Sequence, residues 1–250
     1  MAAEPSAALR EKFGVRLCAG LDGLGGRPVL FRSRALGGAT RDDVEALKAL
    51  GVKVVYDLRK ETERAMSPEP SAICEAFEVR TCLVDFQDDA ARTQETKSQH
   101  VQAAYGEPGQ RMRFLYGVMA DHEDAVLDVV AAVLSGGEPA LVHCANGKDR
   151  AGVVCASVQL ACGMSRADVV ADYLLTNECN AEMNRRDLAH YAGLMPADAV
   201  EVLSAMFEAR EEYLDVFLGS IEARFGSFGA WALRTSRRQT VVSVPSARAC

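Results

Sequence analysis

In the run Leu-Val-His-Cys-Ala-Asn-Gly-Lys-Asp-Arg-Ala-Gly, residues 141–152, a thiol and a guanidinium stand six positions apart with a glycine midway between them. Apolar residues 139–142 precede Cys144, and a helical pattern over 151–161 follows Arg150. A strand, a tight loop and a helix N-terminus in that order can turn several backbone N–H groups onto one anion, and the helix start adds partial positive charge. The phosphate-binding set expected from this is Ala145, Asn146, Gly147, Lys148, Asp149 and Arg150. Gly147 lets the loop turn inward where a Cβ would obstruct it. Arg150 can hold two phosphate oxygens with its planar fork, which a lysine cannot do. Only a thiolate attacks phosphorus, and positive partial charge around a thiol favours that form. The chemistry implied is phosphoryl transfer to Cys144 followed by hydrolysis, with Arg150 stabilising charge on the non-bridging oxygens.

That chemistry needs a general acid to protonate the leaving oxygen and later to help water attack the intermediate. Asp149, inside the loop, is the first candidate. Asp88 is the second, because it follows a strand and could be carried in by loop closure; Asp85 and Asp89 are its neighbours. His143 is expected to orient the loop by hydrogen bonds. Lys148 would put a second cation at the pocket mouth, suited to substrates with another phosphate, or would be a solvent-facing loop charge.

The elements that must position these groups alternate between strand and helix. Thr40 caps a helix, with Asp43 at the capping-box position and Val44, Leu47 and Leu50 on one face, and Gly51 stops it. Residues 52–58 and 78–84 read as short buried strands. A Gly- and Arg-rich stretch, 15–38, reads as a hairpin or irregular strand pair. Residues 121–134 form an amphipathic helix before the loop strand, and Ser165 with Asp168 caps another after it. The fold class expected is α/β: a central, mostly parallel sheet flanked by helices, with the loop at a strand's carboxyl end. One domain over 1–234 is expected, with a helical C-terminal part over 181–234 and an untied tail over 235–250.

The net charge of −7 argues against nucleic acid as a partner, which needs a basic face. No apolar run approaches a membrane span, and the first ten residues lack the pattern of a signal peptide. The eight cysteines show no zinc spacing, and reduced thiols are expected. A cytoplasmic location follows, with secretion lacking a signal peptide as the alternative.

His-Cys-x-x-Gly-Lys-Asp-Arg, residues 143–150, resembles the signature of cysteine-dependent phosphatases. With Lys148 and Asp149 it is similar to the atypical tyrosine and phosphoinositide phosphatases of bacteria and some unicellular eukaryotes, including the secreted mycobacterial type. Residues 31–36, Asp57-Leu58-Arg59 with Glu63, 172–178 and 225–229 resemble further segments of that family. The resemblance implies a protein-tyrosine-phosphatase-like fold and hydrolysis of phosphotyrosine and/or phosphoinositide monoesters through phosphocysteine. No metal or other cofactor is implied, and the partner is a phosphorylated protein or a phosphoinositide. It also implies a helical lid over 88–120, as in some relatives, and some relatives use the Asp at position 149 as acid. Asp57, Arg59 and Glu63 are expected to pair structurally, and Tyr173 and Leu174 to pack the core. Two departures stand out: residues 18–22, Cys-Ala-Gly-Leu-Asp, occupy the place of the family's Asn-Phe-Arg-Asp, and Ala151 stands where a Ser or Thr is usual. Two other classes remain open: a catalytically weak phosphate-binding pseudophosphatase, and a sulfur-transfer or arsenate-reducing thiol enzyme built on the same loop.

Overall fold

Thr40 accepts from the Asp43 N–H while Asp43 accepts from the Thr40 N–H, and this reciprocal cap starts a helix over Arg41–Ala49. The computed structural model describes residues 2–82, 106–194 and 196–234. In chain order its elements begin with α1 (Ala7–Phe13), β1 (Arg16–Asp22), β2 (Val29–Ser33), α2 (Arg41–Ala49) and β3 (Val54–Asp57). Next come α3 (Glu61–Met66), α4 (Ser71–Ala76), β4 (Glu78–Thr81), α5 (Gln110–Asp121), α6 (Glu123–Gly136) and β5 (Ala140–His143). The C-terminal half is helical: α7 (Asp149–Ala161), α8 (Arg166–Leu174), α9 (Thr176–Ala192), α10 (Ala197–Phe207), α11 (Glu211–Phe225) and α12 (Phe228–Ala232).

The strands lie in the order β1-β2-β5-β3-β4. β1 and β2 pair antiparallel, as the hairpin reading expects, and every other pair is parallel. The register sets Ser33 and Asp57 on either side of His143, so three strands end level at the foot of the loop. Both faces of the sheet are buried, with alternate residues going to opposite sides. Leu30, Val54, Tyr56, Ala140 and Val142 join the larger core under α5, α6, α7, α8 and α11. Phe31, Val55 and Leu141 join a second core with α1, α2 and α4. A mostly parallel sheet covered by helices is the expected α/β architecture.

Several boundaries differ from expectation. The helix expected over 121–134 spans Glu123–Gly136, and α5, which falls in the expected helical lid, ends before it at His122, whose backbone leaves helical geometry. Within the helical C-terminal part expected over 181–234, α10 and α11 divide at 208–210, where Asn177 both accepts from the Ala209 N–H and donates to its carbonyl. Of the expected lid, residues 88–105 lie outside the described residues. The remainder of it, α5, packs along α11 with Met112, Tyr116 and Met119 in the larger core. The expected tail over 235–250 also lies outside the described residues. Cys18, Cys82, Cys144, Cys155, Cys162 and Cys179 are free thiols, whereas Cys74 is disulfide-bonded, which departs from the expectation of reduced thiols throughout. Among the described residues no helix is long and apolar enough to cross a membrane.

Candidate active site

β5 delivers Cys144 to the start of the loop, where the residue is only 2% exposed. Four successive loop carbonyls are then held from outside. Ala145 O accepts from the Ala35 N–H at 3.1 Å, and Asn146 O from Asn180 Nδ2 at 2.9 Å. Gly147 O accepts from Arg32 Nη2 at 2.5 Å, and Lys148 O from Arg32 Nη2 at 3.3 Å and from the Gly152 N–H at 2.9 Å. In a trans peptide the carbonyl and the following N–H point in opposite directions. The N–H groups of Asn146, Gly147, Lys148 and Asp149 are therefore turned away from those outer donors, toward the inside of the loop. α7 begins at Asp149 and adds the positive end of its dipole.

Gly147 has φ +63°, and a Cβ there would lie 2.5 Å from Ser33 O. Both the left-handed backbone and the approach of β2 demand glycine. Arg32, fully buried, carries out the pinning from β2, and a cation in the otherwise apolar run Val-Leu-Phe is the signal that could have marked it. Asn180 arrives from α9, and nothing local in the sequence marks it.

Arg150 is gripped by Glu63. Nη1 donates to Oε2 at 2.6 Å and to Leu58 O at 3.1 Å, while Nη2 donates to Oε1 at 2.7 Å. A guanidinium has five N–H groups. These bonds leave Nε–H and the second N–H of Nη2, which lie on one edge of the planar group and make a two-pronged donor for an anion. Burial opposes the charge on Glu63, but the Arg150 pair more than offsets it, and the carboxyl sits below its ordinary range. The same pair raises Arg150 against burial.

Behind the loop lies a buried charged cluster. Asp57 takes Arg59 Nε at 3.0 Å and Nη2 at 2.9 Å, and Arg59 Nη2 also reaches Glu69 at 2.5 Å. Structural pairing of Asp57, Arg59 and Glu63 agrees with the sequence reading. Asp57, Glu69 and His143 bring possible metal-ligand atoms within 4.8 Å of one another, but the cation seated among them is Arg59. Burial pushes Glu69 up to about 7, with the charge of Asp57 adding to the rise and Arg59 opposing it. Burial pushes His143 down to about 4 against the attraction of Asp57. Its Nδ1 faces Cys144 O at 3.4 Å, in keeping with a loop-orienting role.

Asp149 is 31% exposed, and its Oδ1 accepts from the Tyr116 hydroxyl at 3.0 Å. Asp88 lies outside the described residues. Lys148 differs from the mouth-lining or solvent-facing cation that the sequence suggests. Its side chain is 3% exposed and donates to Met206 O and, at 3.2 Å, to Glu208 O, closing the last turn of α10.

A family model described as the tyrosine phosphatase family matches residues 26–240. A protein of Cupriavidus necator whose name places it among tyrosine-protein phosphatases is 33% identical over 215 residues, covering 83% of this chain and 76% of that protein. The triple specificity protein phosphatase PtpB of Mycobacterium tuberculosis is 26% identical over 245 residues, covering 86% of this chain and 88% of that protein. A tyrosine-protein phosphatase of Nostoc commune is 28% identical over 171 residues, covering 68% of this chain and 51% of that protein.

Proposed function

The chain belongs to the tyrosine phosphatase family and is a phosphoric monoester hydrolase, and from that premise we propose that it works through a phosphocysteine on Cys144. The supporting observation is the loop whose carbonyls are bonded outward at four consecutive positions, above the Arg150 edge that is free of partners among the described residues. Such a cradle matches the three non-bridging oxygens of a phosphoryl group in transfer and is in place before the reaction begins.

In the first step the Cys144 thiolate forms an Sγ–P bond as the P–O ester bond breaks. The Asp149 carboxyl gives its proton to the departing oxygen. In the second step water attacks phosphorus, the Asp149 carboxylate takes the water proton, and the Sγ–P bond breaks to return the thiolate and free phosphate. Arg150 and the loop N–H groups stabilise the transferring group in both steps.

Phosphotyrosine is the substrate class this site supports best. The phosphoinositide alternative rests on Lys148 as a second cation, and that ammonium is bonded to the end of α10. Cys144→Ser should abolish turnover and phosphoenzyme formation while keeping millimolar-or-better binding of orthovanadate. Turnover of a phosphotyrosine peptide by that variant at a rate near wild type would overturn the covalent mechanism. Faster wild-type hydrolysis of phosphoinositides than of phosphotyrosine peptides would overturn the substrate assignment.

A further inference from the structure

Tyr116 is a buried phenol on α5, far in sequence from the loop, yet its hydroxyl lies 3.0 Å from Asp149 Oδ1 and 2.7 Å from the Tyr173 hydroxyl. A phenol has one proton to donate. With that proton directed to the Asp149 carboxylate, the shorter contact must be donated by Tyr173. The three groups therefore form a directed chain, Tyr173 to Tyr116 to Asp149. We infer that Tyr116 is a positioning residue for proton transfer, fixing which oxygen of Asp149 carries the catalytic proton, with Tyr173 holding Tyr116 in turn. This rests on the reading of Asp149 as the general acid.

The geometry assigns the proton to Oδ2. Oδ1 accepts from Tyr116 and faces the Lys148 ammonium at 3.5 Å, so a proton on Oδ1 would meet two donors. Oδ2 then gives its proton to the leaving oxygen and takes one back from water, while both phenols keep theirs. Burial, followed by the charge of Asp149, raises Tyr116 well above the ordinary phenol range, so it stays a donor across the working pH.

The surroundings are shaped for this contact. A Cβ on Gly152 would lie 2.9 Å from the Tyr173 ring, so the absence of a side chain on α7 admits that ring beneath the helix start. Tyr116 is held between Tyr173, edge-on at 6.5 Å, and Tyr213, tilted at 6.0 Å. Phenylalanine would pack in the same place and lose only the hydroxyl. The sequence reading assigned Tyr173 to core packing, which holds for its ring and omits its hydroxyl.

The test compares Tyr116→Phe, Asp149→Asn and the double variant on phenyl phosphate, a poor leaving group, and p-nitrophenyl phosphate, a good one. Tyr116→Phe should lower kcat/KM for phenyl phosphate about tenfold, and for p-nitrophenyl phosphate by about twofold or less, with orthovanadate inhibition unchanged. Added to Asp149→Asn it should have no further effect, because the carboxyl it orients is gone. Tyr173→Phe should show the same pattern at smaller amplitude, and it carries the test if Tyr116→Phe misfolds. Equal losses on both substrates, or full additivity in the double variant, would reduce Tyr116 to packing and overturn the inference while leaving Asp149 as the acid. If Asp149→Asn itself shows no leaving-group dependence, the acid assignment fails, and the role of Tyr116 fails with it.

Discussion

Both arms of Arg150 meet both oxygens of Glu63, at 2.6 and 2.7 Å, and this fixes the plane of the guanidinium. Glu63 is itself held by the Lys60 N–H at 2.7 Å, so the first turn of α3 serves as a bracket for the anion-binding edge. Glu63→Gln keeps one acceptor and loses the second. We expect kcat/KM and orthovanadate affinity to fall together by about tenfold, since orientation and charge balance are both altered. Inhibition by orthovanadate equal to wild type would show that Arg150 needs no bracket.

Arg32 is a buried cation whose bonds run to loop carbonyls. Arg32→Leu removes a costly buried charge but strands Gly147 O and weakens the hold on Lys148 O. Unfolding stability should drop by about 2–4 kcal/mol. Phosphate, measured as a competitive inhibitor, should bind more weakly as well. A variant less stable but with unchanged phosphate inhibition would confine Arg32 to folding.

Glu69 and His143 titrate with opposite signs. Glu69, pushed up to about 7 from 4.5, keeps a proton between those values that the unfolded chain has released. Its contribution to stability is full below about pH 4.5 and is lost as pH rises through 7. His143, pushed down to about 4 from 6.5, lacks in the folded state a proton that the unfolded chain holds, so its contribution is lost as pH falls through that range. Glu69→Gln removes one limb. Its stability relative to wild type should climb between pH 4.5 and 7, by on the order of 3 kcal/mol, and level off above that. Urea denaturation at several pH values measures the difference, and a pH-independent gap would mean that Glu69 is not the titrating group.

Ala151 is fully buried in the first turn of α7, at the position where the family resemblance implies a Ser or Thr hydroxyl. A donor there would stabilise sulfur as it leaves phosphocysteine. A hydrogen bond to a charged group contributes roughly 1.5–3 kcal/mol, or about ten- to a hundredfold in rate if fully realised in the transition state. Wild type should therefore show a burst of the first product, with the phosphoenzyme accumulating. Ala151→Ser should raise the steady-state rate and shrink the burst. Linear product release from the first turnover in wild type would place the slow step elsewhere.

The loop was legible because its chemistry is local: thiol, glycine and guanidinium are neighbours in sequence as in space. The same holds for the Thr40 and Ser165 caps, whose partners lie three residues on. Asn180 and Tyr116 were not, since each reaches the loop across 30 or more residues of chain and declares itself only by the partner it meets, whereas the mark of Arg32 is a cation set in an apolar run. The helix break at 208–210 was hidden for a related reason, because apolar periodicity runs through it and a tertiary partner, Asn177, decides where the backbone turns. Lys148 shows the converse. Its position in the signature suggests a ligand contact, and α10, distant in sequence, claims the ammonium first.

The outward bonding of the loop carbonyls also bears on selectivity. Since donors from β2, α7, α9 and the segment after β2 fix these peptides, the order an anion would otherwise impose is present once the chain has folded. Little conformational entropy is then lost on binding. On the proposed mechanism the cradle would offer one donor geometry to the ester, to the phosphoryl group in flight and to the released phosphate alike. Inorganic phosphate should then compete with substrate, and discrimination among the three would fall to the groups around the loop that transfer protons or aim them.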